Sequence, residues 1–321
     1  MCKRRSTRAL IASAASLAVL TAALLFAAYA WTPATSDFDS SYMEDIESRY
    51  AETSTARFHY TVTGEGPPVV LIAGGAMWLR SWHDTIPALA ASHTVYAVDM
   101  PGQGYTEVLD EEFAYDLDAM AGAIGAFYDA VGLDGASLVG HSWGGAWSLY
   151  FAETRPERVD ALVLLDSPGL DAERARQTEL FKVPVVGDAA ANLTTEGMYA
   201  DSLRSAFSHD ELVTDAMVDE GWAWFSAPAQ RDAFVALTRG LDYDQTHARL
   251  GEVAAPTLVL WGAEDEWLPS AQAEGLAERI PDARAEILPG CGHALQEDCP
   301  DAVIPRIAAF LELRTGADVS R

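Results

Sequence analysis

Short apolar, β-branched runs alternate with helix-patterned stretches along most of this chain, and that alternation restricts its fold more than any other feature. FHYTVTG (58–64) alternates apolar with polar and reads as a half-buried strand. PPVVLIAGG (67–75), HTVYAVDMPGQG (93–104), ASLVGHS (136–142), DALVLLDSPG (160–169), PTLVLWGAED (256–265) and AEILPGCGH (285–293) are buried strands running into turns. Helical patterns fill 80–91, 114–131, 144–154, 271–279 and 301–313. Buried strands separated by helices imply a mostly parallel central sheet with helices on both faces, an α/β class. The pattern breaks once: residues 169–254 hold only helical pieces, inserted after the strand that ends at Asp166. The expected core is therefore 57–168 together with 255–321, with 169–254 as a helical cap. Ligands of open α/β sheets bind beyond the carboxyl ends of the strands, so a cap inserted there roofs the site.

Residues 1–36 form a separate unit. Lys3, Arg4, Arg5 and Arg8 precede an apolar run from Ala9 to Trp31, with no charge until Asp37. A bilayer-spanning helix takes roughly 20 apolar residues. Cations before the run place its start in the cytoplasm and the rest of the chain on the extracytoplasmic side of a cell membrane. An uncleaved anchor and a signal peptide cleaved after Ala28-Tyr29-Ala30, releasing a secreted protein, are both open. Residues 37–56 are polar and read as a linker.

The chain has 321 residues, half of them apolar, and a formal charge of −27. Such an acidic surface repels nucleic acid and anionic headgroups, so membrane contact is expected through the N-terminal helix only. Lysine is confined to Lys3 and Lys182. Acid without lysine fits either a high-salt source or a coding bias. Cys291 and Cys299 lie eight apart. A disulfide is permitted outside the cytoplasm, and two separate thiols are the plainer alternative. No C-x-x-C or H-E-x-x-H occurs, so no metal site is expected.

Chemistry concentrates at VGHSWGGA (139–146), where one serine stands among glycines at a strand-to-helix junction. A sharp turn there exposes the Ser142 hydroxyl at the positive end of the next helix. Gly140 and Gly144 are required because strand and helix backbones approach closely. The Trp143 amide then faces an oxyanion formed beside Ser142. A serine nucleophile needs a base and the base an orienting acid. Of the seven histidines, His293 sits in a glycine-lined loop after the last strand, and the other six read as packing or surface residues. Asp265, on the stiff turn before Trp267 and Pro269, is the candidate acid. Asp166, which also ends a strand, competes with it.

Taken together these segments resemble the cap-bearing α/β-hydrolase superfamily, serine hydrolases of an esterase or proline iminopeptidase-like branch, from about residue 57 onward. GHSWGG resembles its nucleophile elbow, GAEDEWLP its acid turn, GCGH its histidine loop, and DMPGQGYT its D-x-x-G-x-G turn. The resemblance implies an α/β-hydrolase fold with the cap after the sixth strand. It implies a triad of Ser142, Asp265 and His293, and backbone oxyanion donors at Gly75, or Ala76 in its place, and at Trp143. No cofactor is implied. Two departures stand out. Ala73-Gly74 replaces the common His-Gly of the oxyanion loop, and no first strand is evident before residue 58. Relatives that dehalogenate alkanes or open epoxides use an aspartate where this chain has Ser142.

Met77, Trp78 and Trp222 are candidate pocket residues, with gluing of the cap to the sheet as the alternative for the aromatics. The expected function is hydrolysis of a small to medium carboxylic ester with an apolar acyl or aryl part, through an acyl-enzyme. A proline iminopeptidase-like activity and a carbon–carbon bond hydrolase use the same triad, the latter weakened because AGGAMW lacks a G-x-G-P-G-like loop. A non-catalytic, membrane-anchored binding protein is the reading from another class. Oligomeric state is not legible.

Overall fold

The computed structural model describes residues 2–31, 38, 40–44, 46–170 and 176–318. Its strands are β1 (Arg49–Glu52), β2 (Ala56–Thr63), β3 (Pro68–Ile72), β4 (Thr94–Val98), β5 (Glu107–Val108), β6 (Ala136–His141), β7 (Val159–Leu165), β8 (Thr257–Gly262) and β9 (Ala283–Leu288). They form one sheet in the order β1-β2-β4-β3-β6-β7-β8-β9, with β5 paired to β2. The pairs among β1, β2, β4 and β5 that involve β2 are antiparallel, and all others are parallel.

Side chains alternate between two cores. On β3, Val70 and Ile72 pack on one face with Phe127, Trp147, Trp261 and Leu276. Val69 and Leu71 pack on the other with Leu89, Ile307 and Phe310. Burial on both faces explains why the central strands read as continuous apolar runs. Each such fully buried large apolar side chain contributes about 1.5–3 kcal/mol against exposure. The N-terminal helix is α1 (Cys2–Tyr29), and the first helices of the core are α2 (Thr85–Leu89), α3 (Leu117–Val131) and α4 (Ser142–Thr154). Helix α3 starts where Asp116 accepts a bond from the Ala119 amide at 2.8 Å and stops at left-handed Gly132.

The insertion is helical, as its pattern implied: α5 (Arg176–Lys182), α6 (Val186–Leu193), α7 (Glu196–Ser205), α8 (Asp215–Ser226), α9 (Pro228–Gly240) and α10 (Tyr243–His247). The helix expected from 171 lies outside the described residues until 176. The short, alanine-rich α6 was not anticipated. The chain then returns through α11 (Ala271–Arg279), α12 (Leu295–Asp298) and α13 (Pro300–Asp318). The cap follows the sixth strand if the two-residue β5 is left out of the count.

The first strand, not evident in the sequence, is the short β1, whose four residues bury only Ala51, too little for an apolar signal. The segment 37–56 is accordingly not a plain linker. It supplies β1, and Phe38 stacks on Tyr105 at 4.4 Å. Among the described residues, no helix is long and apolar enough to cross a membrane. The side chains of residues 1–12 and 14, where the run Ala9–Trp31 begins, lie outside the described residues. The described end of α1 docks on the cap, where Asn192 donates to the Ala27 and Ala28 carbonyls at 3.2 and 3.1 Å.

Candidate active site

Strand β6 turns into α4 at Ser142, whose φ of 50° is left-handed, a conformation costly for any residue but glycine. A Cβ on Gly140 would sit 2.6 Å from both the Gly144 carbonyl oxygen and the Gly145 Cα. One on Gly144 would strike the Ala73 and Ile72 carbonyls. The glycines are thus what allows the turn to close. Ser142 is left at the floor of a cavity between sheet and cap.

The three expected triad members come together from three sheet-end loops. His293 Nε2 lies 2.9 Å from Ser142 Oγ, and His293 Nδ1 lies 2.8 Å from Asp265 Oδ2. The other Asp265 oxygen accepts the amides of Trp267 at 2.8 Å and Leu268 at 2.9 Å. Burial opposes the charge on Asp265. His293 and those two amides outweigh it, so its carboxyl lies below the usual carboxylate range. The Trp267 ring stacks on His293 at 4.8 Å and limits its rotation. Asp166, the competing acid, does not meet His293. It is fully buried, with Oδ1 accepting the Gly262 amide at 2.8 Å.

Gly75 and Trp143 both line the cavity beside Ser142. The Trp143 ring lies where a Cβ on Gly75 would be, which accounts for glycine there. The Met77 amide donates to the Gly74 carbonyl at 3.2 Å, and Ala76 is left-handed, so the loop is a tight turn. Gln103 secures it. Its Nε2 donates to the carbonyls of Gly74 at 2.6 Å and Ala73 at 3.3 Å. The residues standing for His-Gly are therefore held from the neighbouring D-x-x-G-x-G turn. Sequence reasoning passed over Gln103, although its place inside that turn was a usable signal. Exposed Glu264 accepts the Gly290 and Cys291 amides at 2.7 and 3.1 Å and braces the histidine loop. Cys291 and Cys299 are joined in a disulfide across that loop.

The cavity measures about 300 Å³ and is walled largely by Met77, Phe181, Met198, Phe225 and Phe234. Among the described residues that line it there is no lysine or arginine. Met77 is placed as expected, while Trp78 and Trp222 do not line this cavity. Trp78 is buried against Phe38, Tyr42 and Tyr105. Trp222 packs on Tyr199 and Phe225, with the Arg231 guanidinium over its ring. Both serve packing, and the cap's fold, invisible in the sequence, decides which aromatic faces inward.

A family model for the alpha/beta hydrolase fold matches residues 67–300. The chain belongs to the α/β-hydrolase family. This α/β-hydrolase is 33% identical over 294 residues to a 2-hydroxy-6-oxo-6-(2'-aminophenyl)hexa-2,4-dienoic acid hydrolase of Metapseudomonas resinovorans, covering 88% of this chain and 95% of the relative. It is 30% identical to haloalkane dehalogenase 2 of Mycobacterium tuberculosis, covering 84% of this chain and 96% of that one. Among solved structures it resembles a meta-cleavage product hydrolase from Pseudomonas fluorescens, with a TM-score of 0.73 and 25% identity, covering 83% of this chain and 98% of that one.

Proposed function

We propose that this α/β-hydrolase cleaves an uncharged carboxylic ester of small to medium size, with an apolar acyl or aryl part, through an acyl-enzyme. The observation that carries this reading is the Ser142–His293–Asp265 chain opening into an apolar cavity with no lysine or arginine among the described residues that line it. A carboxylate buried there would lose its hydration without meeting a described lysine or arginine, which costs several kcal/mol. His293 takes the Ser142 proton as Oγ attacks the carbonyl, and Asp265 holds the imidazole tautomer. The Gly75 and Trp143 amides receive the oxyanion. His293 then protonates the leaving group, and water releases the acid.

A second reading is carbon–carbon bond hydrolysis on the same triad. The relatives favour it, since the Metapseudomonas resinovorans and Burkholderia cepacia proteins act on dienoic acids and dienoates. The lack of lysine or arginine among the described lining residues weighs against such acids. The test is a panel of p-nitrophenyl acetate, butyrate and octanoate beside 2-hydroxy-6-oxo-6-phenylhexa-2,4-dienoate, run on the protein and on Ser142→Ala. Ester turnover lost in the variant supports the first reading, and dienoate turnover alone supports the second. No Ser142-dependent turnover of either, nor of a prolyl amide, leaves a binding role.

For the N-terminal segment we propose an uncleaved anchor with the catalytic domain extracytoplasmic. The basic start, the apolar run and the exposed Leu17, Val19 and Leu20 on α1 support it. Release of the protein from membranes by alkaline carbonate would refute it.

A further inference from the structure

Asp166 ends β7 with a φ of 44°, left-handed like Ser142, and its side chain is fully buried. Leu165 of β7 is in register with Leu260 of β8, which brings Asp166 alongside the turn from Gly262 to Asp265. One carboxyl oxygen, Oδ1, accepts the Gly262 amide at 2.8 Å. The other, Oδ2, is buried and meets no N–H or hydroxyl donor among the described residues. The turn beside it carries Asp265, whose side chain interacts with the Asp166 carboxyl. Two carboxyl groups can bond only through a proton, and one of them must carry it. Asp265 already accepts from His293, Trp267 and Leu268, all of which favour its charged form. Asp166 accepts from Gly262 alone. The proton therefore belongs to Asp166.

The charges around it act the same way. Burial is the largest influence and raises the Asp166 carboxyl well above the usual range. The negative charge of Asp265 adds to this, and that of Asp298 on α12 adds further. His293 and His141 complete the titratable groups beside Asp265. We propose that Asp166 stays protonated and donates its hydroxyl to Asp265, as a positioning residue that holds the triad acid from β7. Its neutrality matters as much as its bond. A second anion would stabilise imidazolium at His293, leaving the base already protonated when Ser142 needs it.

The inference rests on the triad reading, so the test is independent of the natural substrate. The rate of Ser142 phosphonylation by a fluorophosphonate is measured against pH for the full chain, Asp166→Asn and Asp166→Leu. In parallel, infrared difference spectroscopy at pH 8 seeks a protonated-carboxyl stretch. The leucine variant, without a donor, should react about tenfold slower or worse, the loss expected for a buried charge-assisted hydrogen bond. The asparagine variant keeps a neutral donor and should recover to within about threefold, with its acid limb unmoved. Beside the band of buried Glu153, which burial raises to about 9, the full chain should show a further carboxyl stretch that Asp166→Asn lacks. An acid limb lowered by about one pH unit in Asp166→Asn, or identical carboxyl bands in the two proteins at pH 8, would show that Asp166 is an anion and overturn the proposal. Equal rates in all three proteins would overturn the positioning role. If the leucine variant does not fold, the asparagine profile and the spectrum still decide. If Ser142 reacts in none of the proteins, the triad reading fails, while the spectrum still reports on Asp166.

Discussion

His141 Nε2 lies 2.8 Å from the backbone carbonyl oxygen of His293, so the residue before the proposed nucleophile, Ser142, holds the residue proposed as its base. A carbonyl only accepts, so the His141 proton sits on Nε2. Burial, and then the nearby His293, push His141 down to about 3, which keeps it neutral. The elbow and the histidine loop are thus tied by a hydrogen bond that leaves the triad's own bonds free.

Replacing His141 by Leu removes this bond and orphans the carbonyl. The expected loss is about 1–3 kcal/mol of stability and roughly tenfold in kcat/KM, read by urea unfolding and ester kinetics. The pH dependence has a definite sign. A neutral buried histidine contributes fully above its unfolded value, about 6.5, and progressively less as pH falls toward about 3. The stability gap between the natural protein and His141→Leu should therefore shrink from pH 7 to pH 4. A gap that widens on acidification would contradict the neutral assignment.

The Cys291–Cys299 disulfide closes the loop that carries His293. For a loop this short, cross-linking is worth about 2–3 kcal/mol in the chain-entropy account. Cys291→Ser with Cys299→Ser should lower Tm and kcat together, and reductant should do the same to the natural protein. Three alkylatable thiols in the unreduced, denatured protein, rather than that of Cys2 alone, would refute the bridge.

Asp298 fastens the cap to the same loop. It accepts the amides of Gly292 at 2.6 Å, Ser208 at 3.1 Å and His209 at 3.0 Å, and it lies 2.9 Å from His209 Nδ1. The bond to Asp298 raises His209 above its usual value. This contribution is complete below about 6.5, the unfolded value, and disappears as pH rises through the raised folded value. Hydrogen exchange over 205–213, corrected for the intrinsic rate, should speed up across that window. In His209→Ala it should already be fast at pH 6. Identical protection in both proteins at pH 6 would argue against the latch.

Phe234 stacks on Trp143 at 5.5 Å and meets Phe225 at 5.4 Å, closing the cap side of the cavity. Phe234→Ala should open room for longer acyl chains and shift preference from p-nitrophenyl butyrate toward octanoate. The cap should lose about 3 kcal/mol or more if the space does not collapse. An unchanged chain-length profile would place the acyl group elsewhere.

The serine, its base and its acid were legible because each is announced locally. A serine between glycines at a strand end, a histidine between glycines after the last strand, and an aspartate before Trp267 and Pro269 carry steric information within a few residues. Asp166 and Asp265 look alike in sequence, since both follow apolar strands. Only the neighbouring strands β7 and β8, with two amides and the His293 ring offered to Asp265 and one amide to Asp166, separate the two. Trp78 and Trp222 mislead for a related reason: an aromatic beside a motif is equally able to face the cavity or the packing behind it.

The order and spacing of apolar runs, by themselves, determined an α/β sheet with a helical insertion, because strand and helix periods are properties of the local chain. They also determined the elbow, because a Cβ at Gly140 or Gly144 would have nowhere to go. The tertiary structure alone decided the rest: the edge strand β1, the Gln103 brace under the oxyanion loop, the His141 tie and the neutral Asp166. The last three depend on groups 29 to 152 residues apart meeting in a dry interior, where hydrogen-bond partners and local charge, rather than sequence neighbours, set what a side chain does.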